Sequence, residues 1–123
     1  MTHDVVALVQ KAPDVRAIID SMVDTGKDLR VRGAIEGAVI QLCDDQGRTL
    51  VSIEPPQFVR VEGEVERLLG AEVAARAPAP VWWVEARASG TDPRSAALGR
   101  RFAEELVRRL GGTVWTGWRE GQR

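Results

Sequence analysis

The sequence predicts an α+β fold, in which a largely antiparallel sheet packs helices on one face. Two strand-like segments flank a short polar turn, which is typical of a β-hairpin. Segments with helical periodicity lie before and after this strand-rich part of the chain. Hydrophobic residues make up 44% and charged residues 28% of the 123 residues, as in globular domains. We therefore expect residues 1–123 to form a single α+β domain with the element order β-α-β-β-β-α-β-α-β.

The first half of the chain supplies a strand, a helix and the hairpin. The apolar run DVVALV (4–9) is suited to a buried strand. Apolar residues then recur at helical spacing from 15 to 23, and Gly26 follows as a terminator. AVIQLC (38–43) and TLVSIE (49–54) are the arms of the hairpin, with the turn-forming DDQGR between them.

The second half supplies three strands and two helices. Pro55 and Pro56 end the hairpin, because proline cannot donate to a strand ladder. Asp92 and Pro93 have the residue types of a helix start. The remaining elements are a third strand, a short helix, a strand, a long helix and a final strand, at residues 57–61, 64–70, 81–87, 93–110 and 113–115.

Two adjacent tryptophans in VWWVEAR (81–87) must point to opposite faces of the sheet, since strand side chains alternate. Trp83 shares its face with Glu85 and Arg87, so we expect Trp82 in the core and Trp83 outside. The same alternation on the other strands predicts an interface on the helix-free face, formed by Leu50, Phe58, Arg60, Trp83 and Arg87. Aromatic residues with arginine are favoured at the centres of protein interfaces. In the alternative, a C-terminal segment with Trp115 or Trp118 covers this face.

Residues for catalysis or metal binding are scarce. The only histidine, His3, is near a terminus, and Cys43 has no base assigned to it by the sequence. Asp44 and Asp45 are adjacent carboxylates, which form turns more often than they bind a cation. We therefore predict no catalytic residues, no metal site and no cofactor, and we favour a protein that is not an enzyme.

Charge and hydropathy exclude other classes. The net charge is −1 and the arginines of the last helix alternate with glutamates, which does not favour nucleic-acid binding. No apolar run is long enough to span a membrane, and no signal segment is evident. The chain has one cysteine, which is typical of a reducing compartment. These observations predict a cytoplasmic protein with neither a nucleic-acid nor a membrane partner.

Four segments together resemble a family of actinobacterial proteins whose genes lie near type VII secretion and polymorphic-toxin genes. The segments are GAVIQLCDDQGRTLVSIE (37–54), RLLGAE (67–72), PVWWVEAR (80–87) and LGGTVW (110–115). The resemblance covers most of the chain and implies an accessory, chaperone-like or immunity-like binding role. These motifs carry no known chemistry, so no catalytic residue is transferred.

Three functional hypotheses follow. The first is a non-catalytic protein-binding domain that uses an open sheet face. The second is an enzyme or small-molecule-binding module whose pocket combines scattered Arg, Glu and Trp side chains. The third is a self-associating domain, such as a homodimer, in a larger assembly. A concave pocket that joins Trp83 to Arg60 or Arg87 would favour the second hypothesis, whereas a flat apolar face would favour the first.

Overall fold

The structure is a computed structural model that describes residues 2–26, 28–34, 39–61, 63–90 and 92–116. These residues form seven strands and four helices. In chain order they are β1 (Thr2–Val9), α1 (Val15–Thr25), β2 (Arg30–Ala34), β3 (Val39–Cys43), β4 (Thr49–Ile53), β5 (Gln57–Val59), α2 (Glu64–Leu69), α3 (Ala71–Arg76), β6 (Val81–Ser89), α4 (Ser95–Leu110) and β7 (Gly112–Trp115).

The described strands form one antiparallel sheet with the order β2-β3-β4-β6-β1-β7, and β5 also pairs with β6. The predicted α+β class with an antiparallel sheet is therefore confirmed. β6 is central because β1 pairs along its entire length, while β4 and β5 follow one another along its other edge. Side chains of β6 therefore contribute to the cores on both faces of the sheet.

Two elements were not predicted, and both are short. β2 has the sequence RVRGA, in which only Val31 packs against a core and Arg32 is exposed. α3 has the sequence AEVAAR, in which only Val73 is buried. One large apolar side chain in contact with a core per element is too little to produce a periodic signal in the sequence, so their positions depend on neighbouring parts of the chain.

The larger core lies between the sheet and helices α1 and α4. Its most enclosed large side chains include Met22, Phe102 and Leu106. Asp14 caps α1 by accepting a 2.8 Å hydrogen bond from the Ala17 amide. The buried side of α1 is rotated from the predicted one: Ser21 and Thr25 are buried, whereas Val15 and Val23 are exposed.

A smaller core lies on the opposite face of the sheet, so the prediction that the helices pack on one face is wrong. Val65 of α2 and Val73 of α3 pack there with Leu8 and Val81. The physical reason is that β1 is apolar on both faces. Its continuous run, DVVALV, requires cover on each side, and α2 and α3 supply the second cover.

A bulge between β3 and β4 overturns the predicted exposure of Leu50. Leu42 pairs with Val51, but the next residue, Cys43, pairs with Thr49. Leu50 is the extra residue, and it enters the larger core with only 1% of its surface exposed. The bulge places the consecutive residues Leu50 and Val51 in the same core, which a strict two-residue period cannot anticipate.

A second extra residue, at Pro55-Pro56, inverts the predicted faces of β5. Ile53 pairs with Ala86 while Phe58 pairs with Trp82, so five steps along one strand match four along β6. Phe58 consequently shares the face of Trp82. The prediction that it shares the face of Trp83 is wrong. The prolines interrupt the ladder where this register shift occurs.

Candidate functional site

An open groove of about 470 Å³ lies where β5, β6 and α2 meet. We call it the β5–β6–α2 groove. Its lining consists of Gln57, Phe58, Val59, Arg60, Val61, Glu64, Leu68, Trp83 and Glu85. Three of the five predicted interface residues, Phe58, Arg60 and Trp83, are therefore brought together in one site, although not on a flat sheet face.

The chain direction after β5 creates the groove. Gly63 has a φ of +93°, a left-handed conformation that glycine adopts without strain. The turn at Gly63 places α2 over the sheet, where Val65 is buried in the smaller core. Glu64 and Leu68, four residues apart on the same side of α2, then form the wall opposite β5 and Trp83.

Exposed apolar side chains are concentrated in this groove. Phe58 is 45%, Val61 65% and Leu68 51% exposed, although all three are large hydrophobic residues. Trp83 is half-buried at the base, where it packs against the smaller core. Covering such apolar surface with a partner removes it from water and therefore favours binding.

Phe58, at the edge of the groove, contacts an aromatic ring and a cation. The rings of Phe58 and Trp82 lie 4.8 Å apart at a tilt of 44°, within the range of favourable aromatic pairs. The Arg60 guanidinium lies 5.9 Å from the centre of the Phe58 ring, a distance that permits a cation–π interaction. The rim thus presents an aromatic ring and a cation side by side.

The two carboxylates of the groove form ion pairs with neighbouring arginines. Glu64 accepts a 2.7 Å hydrogen bond from Arg67, which raises the pKa of that guanidinium. Glu85 accepts hydrogen bonds from Trp83 Nε1 at 3.3 Å and from Arg87 at 3.4 Å. The Glu85 hydrogen bond, followed by the charge of Asp4, raises the pKa of Arg87. Arg60, by contrast, forms no ion pair with any described residue.

Beyond the groove, the same face of the sheet is polar. Direct cross-strand pairing aligns five side chains in one row across five strands: Arg32, Gln41, Ser52, Arg87 and Asp4. Arg32 donates to Gln41 Oε1 at 3.0 Å, and Gln41 donates to Ser52 at 3.3 Å. Arg87 lies 3.6 Å from Asp4. The predicted interface residue Arg87 belongs to this polar row and does not line the groove.

The predicted cover of the outer face is met in part by β7. Trp115 packs against the smaller core, as the alternative expectation required of one of the two C-terminal tryptophans. Trp118 lies outside the described residues. Six residues of the groove were not in the predicted interface: Gln57, Val59, Val61, Glu64, Leu68 and Glu85. The sequence carried no signal for the exposure of Leu68, because Val65, Leu68 and Leu69 have the i, i+3, i+4 spacing of a single apolar helix face.

The residues considered for chemistry are in structural positions. Cys43 is buried with its sulfur 4.0 Å from Thr49 Oγ1. Asp44 accepts hydrogen bonds from the Arg48 and Gln46 amides, each at 2.9 Å, and the Arg48 amide is the main cause of its lowered pKa. Within the described ranges, no cluster of three or more His, Cys, Asp or Glu side chains has metal-binding geometry.

None of the described helices has the length and apolar character needed to cross a membrane. Comparison of this chain with protein-family models, curated proteins and solved structures found no match.

Proposed function

We propose that this chain is a non-catalytic protein-binding domain whose partner docks in the β5–β6–α2 groove. The observation that carries the proposal is the convergence of exposed Phe58, Val61 and Leu68 around Trp83. Apolar and aromatic anchors that become fully covered dominate binding energy at protein interfaces. The polar remainder of the face would border the contact, as the rim of an interface does.

The chemistry of the lining also supports binding rather than catalysis. The described residues of the groove include no Ser, Thr, Cys, His or Lys, and so offer no nucleophile activated by a base. Its carboxylates, Glu64 and Glu85, are engaged by Arg67 and Arg87. What remains available to a partner is apolar surface and the Arg60 guanidinium.

One observation favours a small-molecule-binding module as the second candidate. The groove joins Trp83 to Arg60, and its volume of about 470 Å³ is typical of ligand pockets. However, such pockets enclose about 70–90% of a ligand's surface, whereas Val61 and Leu68 on its walls are themselves more than half exposed. A partner that brings its own continuous surface covers these walls better than a small molecule does.

Site-specific photo-crosslinking in native cells tests the proposal. A photoreactive amino acid replaces Leu68 in the groove or, as the matched control, Val23 on α1, since these positions are 51% and 49% exposed. We expect a discrete protein adduct from position 68 alone. Equal adducts at both positions, or none at position 68, would contradict the proposal, while an adduct of small-molecule mass would favour the second candidate.

The purified partner then permits a quantitative test. Leu68→Asp should weaken binding at least about tenfold, because a charge replaces a covered apolar anchor. Val23→Asp introduces the same charge on the other face of the molecule and should leave affinity unchanged. Titration calorimetry measures both, and circular dichroism checks that each variant is folded.

A further inference from the structure

β5 has a free edge beside the groove. It pairs with β6 on one side, and no described strand lies against its other side. Such an edge exposes unpaired N–H and C=O groups, to which an extended peptide can add as a further strand. Pro56 has no N–H, so the free ladder begins at Gln57. The regular strand ends at Val59, and the Val61 carbonyl already accepts a hydrogen bond from the Glu64 amide, which limits the available edge to residues 57–60.

The two sides of this edge have different chemistry. On the side of Trp83 and α2 lie Val61 and Leu68, which are apolar and exposed. On the other side lie Phe58, which contacts Trp82, and Arg60, which lies over the Phe58 ring. Because side chains of an added strand alternate between these sides, every second residue would meet apolar surface and the residues between would meet Arg60.

The charge of Arg60 determines which partner residues should lie between the apolar ones. Glu64 and Glu85 already form ion pairs with Arg67 and Arg87, whereas Arg60 has none among the described residues. A partner carboxylate would complement Arg60, and a partner cation would meet repulsion there.

We infer that the partner's docking segment is a short extended strand with alternating apolar and acidic residues, which adds to the free edge of β5. This inference rests on the proposed function. The apolar residues face Leu68 and Val61, and the acidic residues face Arg60. Backbone hydrogen bonds to residues 57–60 supply affinity, and the alternation supplies specificity.

A second copy of this chain does not supply the acidic residues that would face Arg60. The edge segment QFVRV (57–61) contains no acidic residue, so two β5 edges paired with each other leave both Arg60 side chains without a carboxylate from the opposing strand. The charge of the edge therefore favours a different chain over a homodimer at this position.

Two blocked peptides test the side-chain pattern on the full chain. Acetyl-Ser-Glu-Leu-Glu-Leu-Glu-Ser-amide carries the inferred alternation, and acetyl-Ser-Lys-Leu-Lys-Leu-Lys-Ser-amide reverses its charge. We expect the Glu peptide to shift the NMR signals of the Trp83 indole N–H and of the β5 amides, and to bind about tenfold more tightly than the Lys peptide. Arg60→Glu should invert this preference. Arg30→Glu, which changes an exposed arginine on another edge strand, β2, is the matched control and should preserve it.

Backbone methylation tests the strand addition itself. N-methylation of alternate amides of the Glu peptide blocks either the edge that faces β5 or the edge that faces solvent. One of the two methylation patterns should abolish binding and the other should retain it. Equal behaviour of both patterns would show that the peptide does not extend the sheet, and the inference would be wrong.

The outcomes separate this inference from the proposed function. If the Glu peptide does not bind while Leu68→Asp still weakens the native partner, the extended-strand inference fails and the proposed function stands. If Leu68→Asp leaves the native partner unaffected, the proposed function fails. A monomer–dimer equilibrium in sedimentation that Phe58→Glu abolishes would instead identify a second copy as the occupant and overturn the inference.

Discussion

The two faces of the sheet differ in how completely they are covered. On one face, the eleven residues of α1 and the sixteen of α4 lie over a core that includes Met22 and Phe102. On the other face, α2 and α3 have six residues each and bury only a small cluster around Leu8 and Val65. Two short helices cannot cover a wide sheet, so the second face has three zones: a small core, the apolar groove at its border, and a polar row.

Because of this difference, we expect the two faces to contribute differently to the stability of the fold and to partner binding. Hydrophobic stabilisation increases with the apolar area removed from water, so the face with the long helices contributes most of it. The partly covered face retains apolar side chains at its border that a partner can cover. We expect substitutions on the first face to affect unfolding most, and substitutions in the groove to affect binding most.

The largest expected effect is that of Phe102→Ala. Phe102 is 1% exposed within the larger core, and truncating a buried Phe typically costs about 3–5 kcal/mol. Urea unfolding at constant m-value measures the loss. Val23→Ala, on the exposed side of α1, should change the free energy of unfolding by less than about 0.5 kcal/mol. A loss below about 1 kcal/mol for Phe102→Ala would contradict the assignment of this face as the main source of stability.

The adjacent tryptophans give a direct comparison of the two faces. Trp82 packs against the larger core and Trp83 against the smaller one, and both are half-buried. We therefore expect Trp82→Ala and Trp83→Ala to destabilise the fold by similar amounts, about 2–3 kcal/mol each. Trp83→Ala should in addition weaken partner binding. If urea unfolding shows a large loss for Trp82→Ala and almost none for Trp83→Ala, the smaller core contributes little to stability.

The smallest effect is expected in the polar row. Arg87 is exposed and interacts with Asp4 and Glu85 at 3.4–3.6 Å. Exposed ion pairs contribute about 0–1 kcal/mol, so Arg87→Gln should lower the free energy of unfolding by less than about 1 kcal/mol, and high salt should reduce the difference further. A larger loss that persists in 1 M salt would mean that the polar row is a structural network comparable to the smaller core.

The sequence predicted the elements whose signals are local. Nine of the eleven observed elements correspond to predicted segments with shifted ends, and β2 and α3 were missed. Gly26 follows α1 as predicted, and the hairpin lies at β3 and β4, with Asp44 in its turn. 

One of the nine predicted segments, QFVRV (57–61), is a strand only as far as Val59. Caps, turns and apolar periodicity act within a few residues, and for that reason a single sequence contains them.

The candidate site was predicted only in part, since it depends on register. Phe58, Arg60 and Trp83 do meet in one groove, but Leu50 is buried and Arg87 belongs to the polar row. The extra residues at Leu50 and at Pro55-Pro56 changed the faces that Leu50 and the side chains of β5 occupy, and a bulge becomes visible only when the partner strand is known.

The sequence by itself determined that the chain forms an antiparallel α+β domain with an apolar first strand and with Trp82 and Trp83 on opposite faces. Only the tertiary structure decided what covers each face. The placement of α2 and α3 over Leu8 depends on contacts between segments about sixty residues apart. No local pattern encodes that distance, because the free energy of burial depends on which surfaces meet and not on their order in the chain.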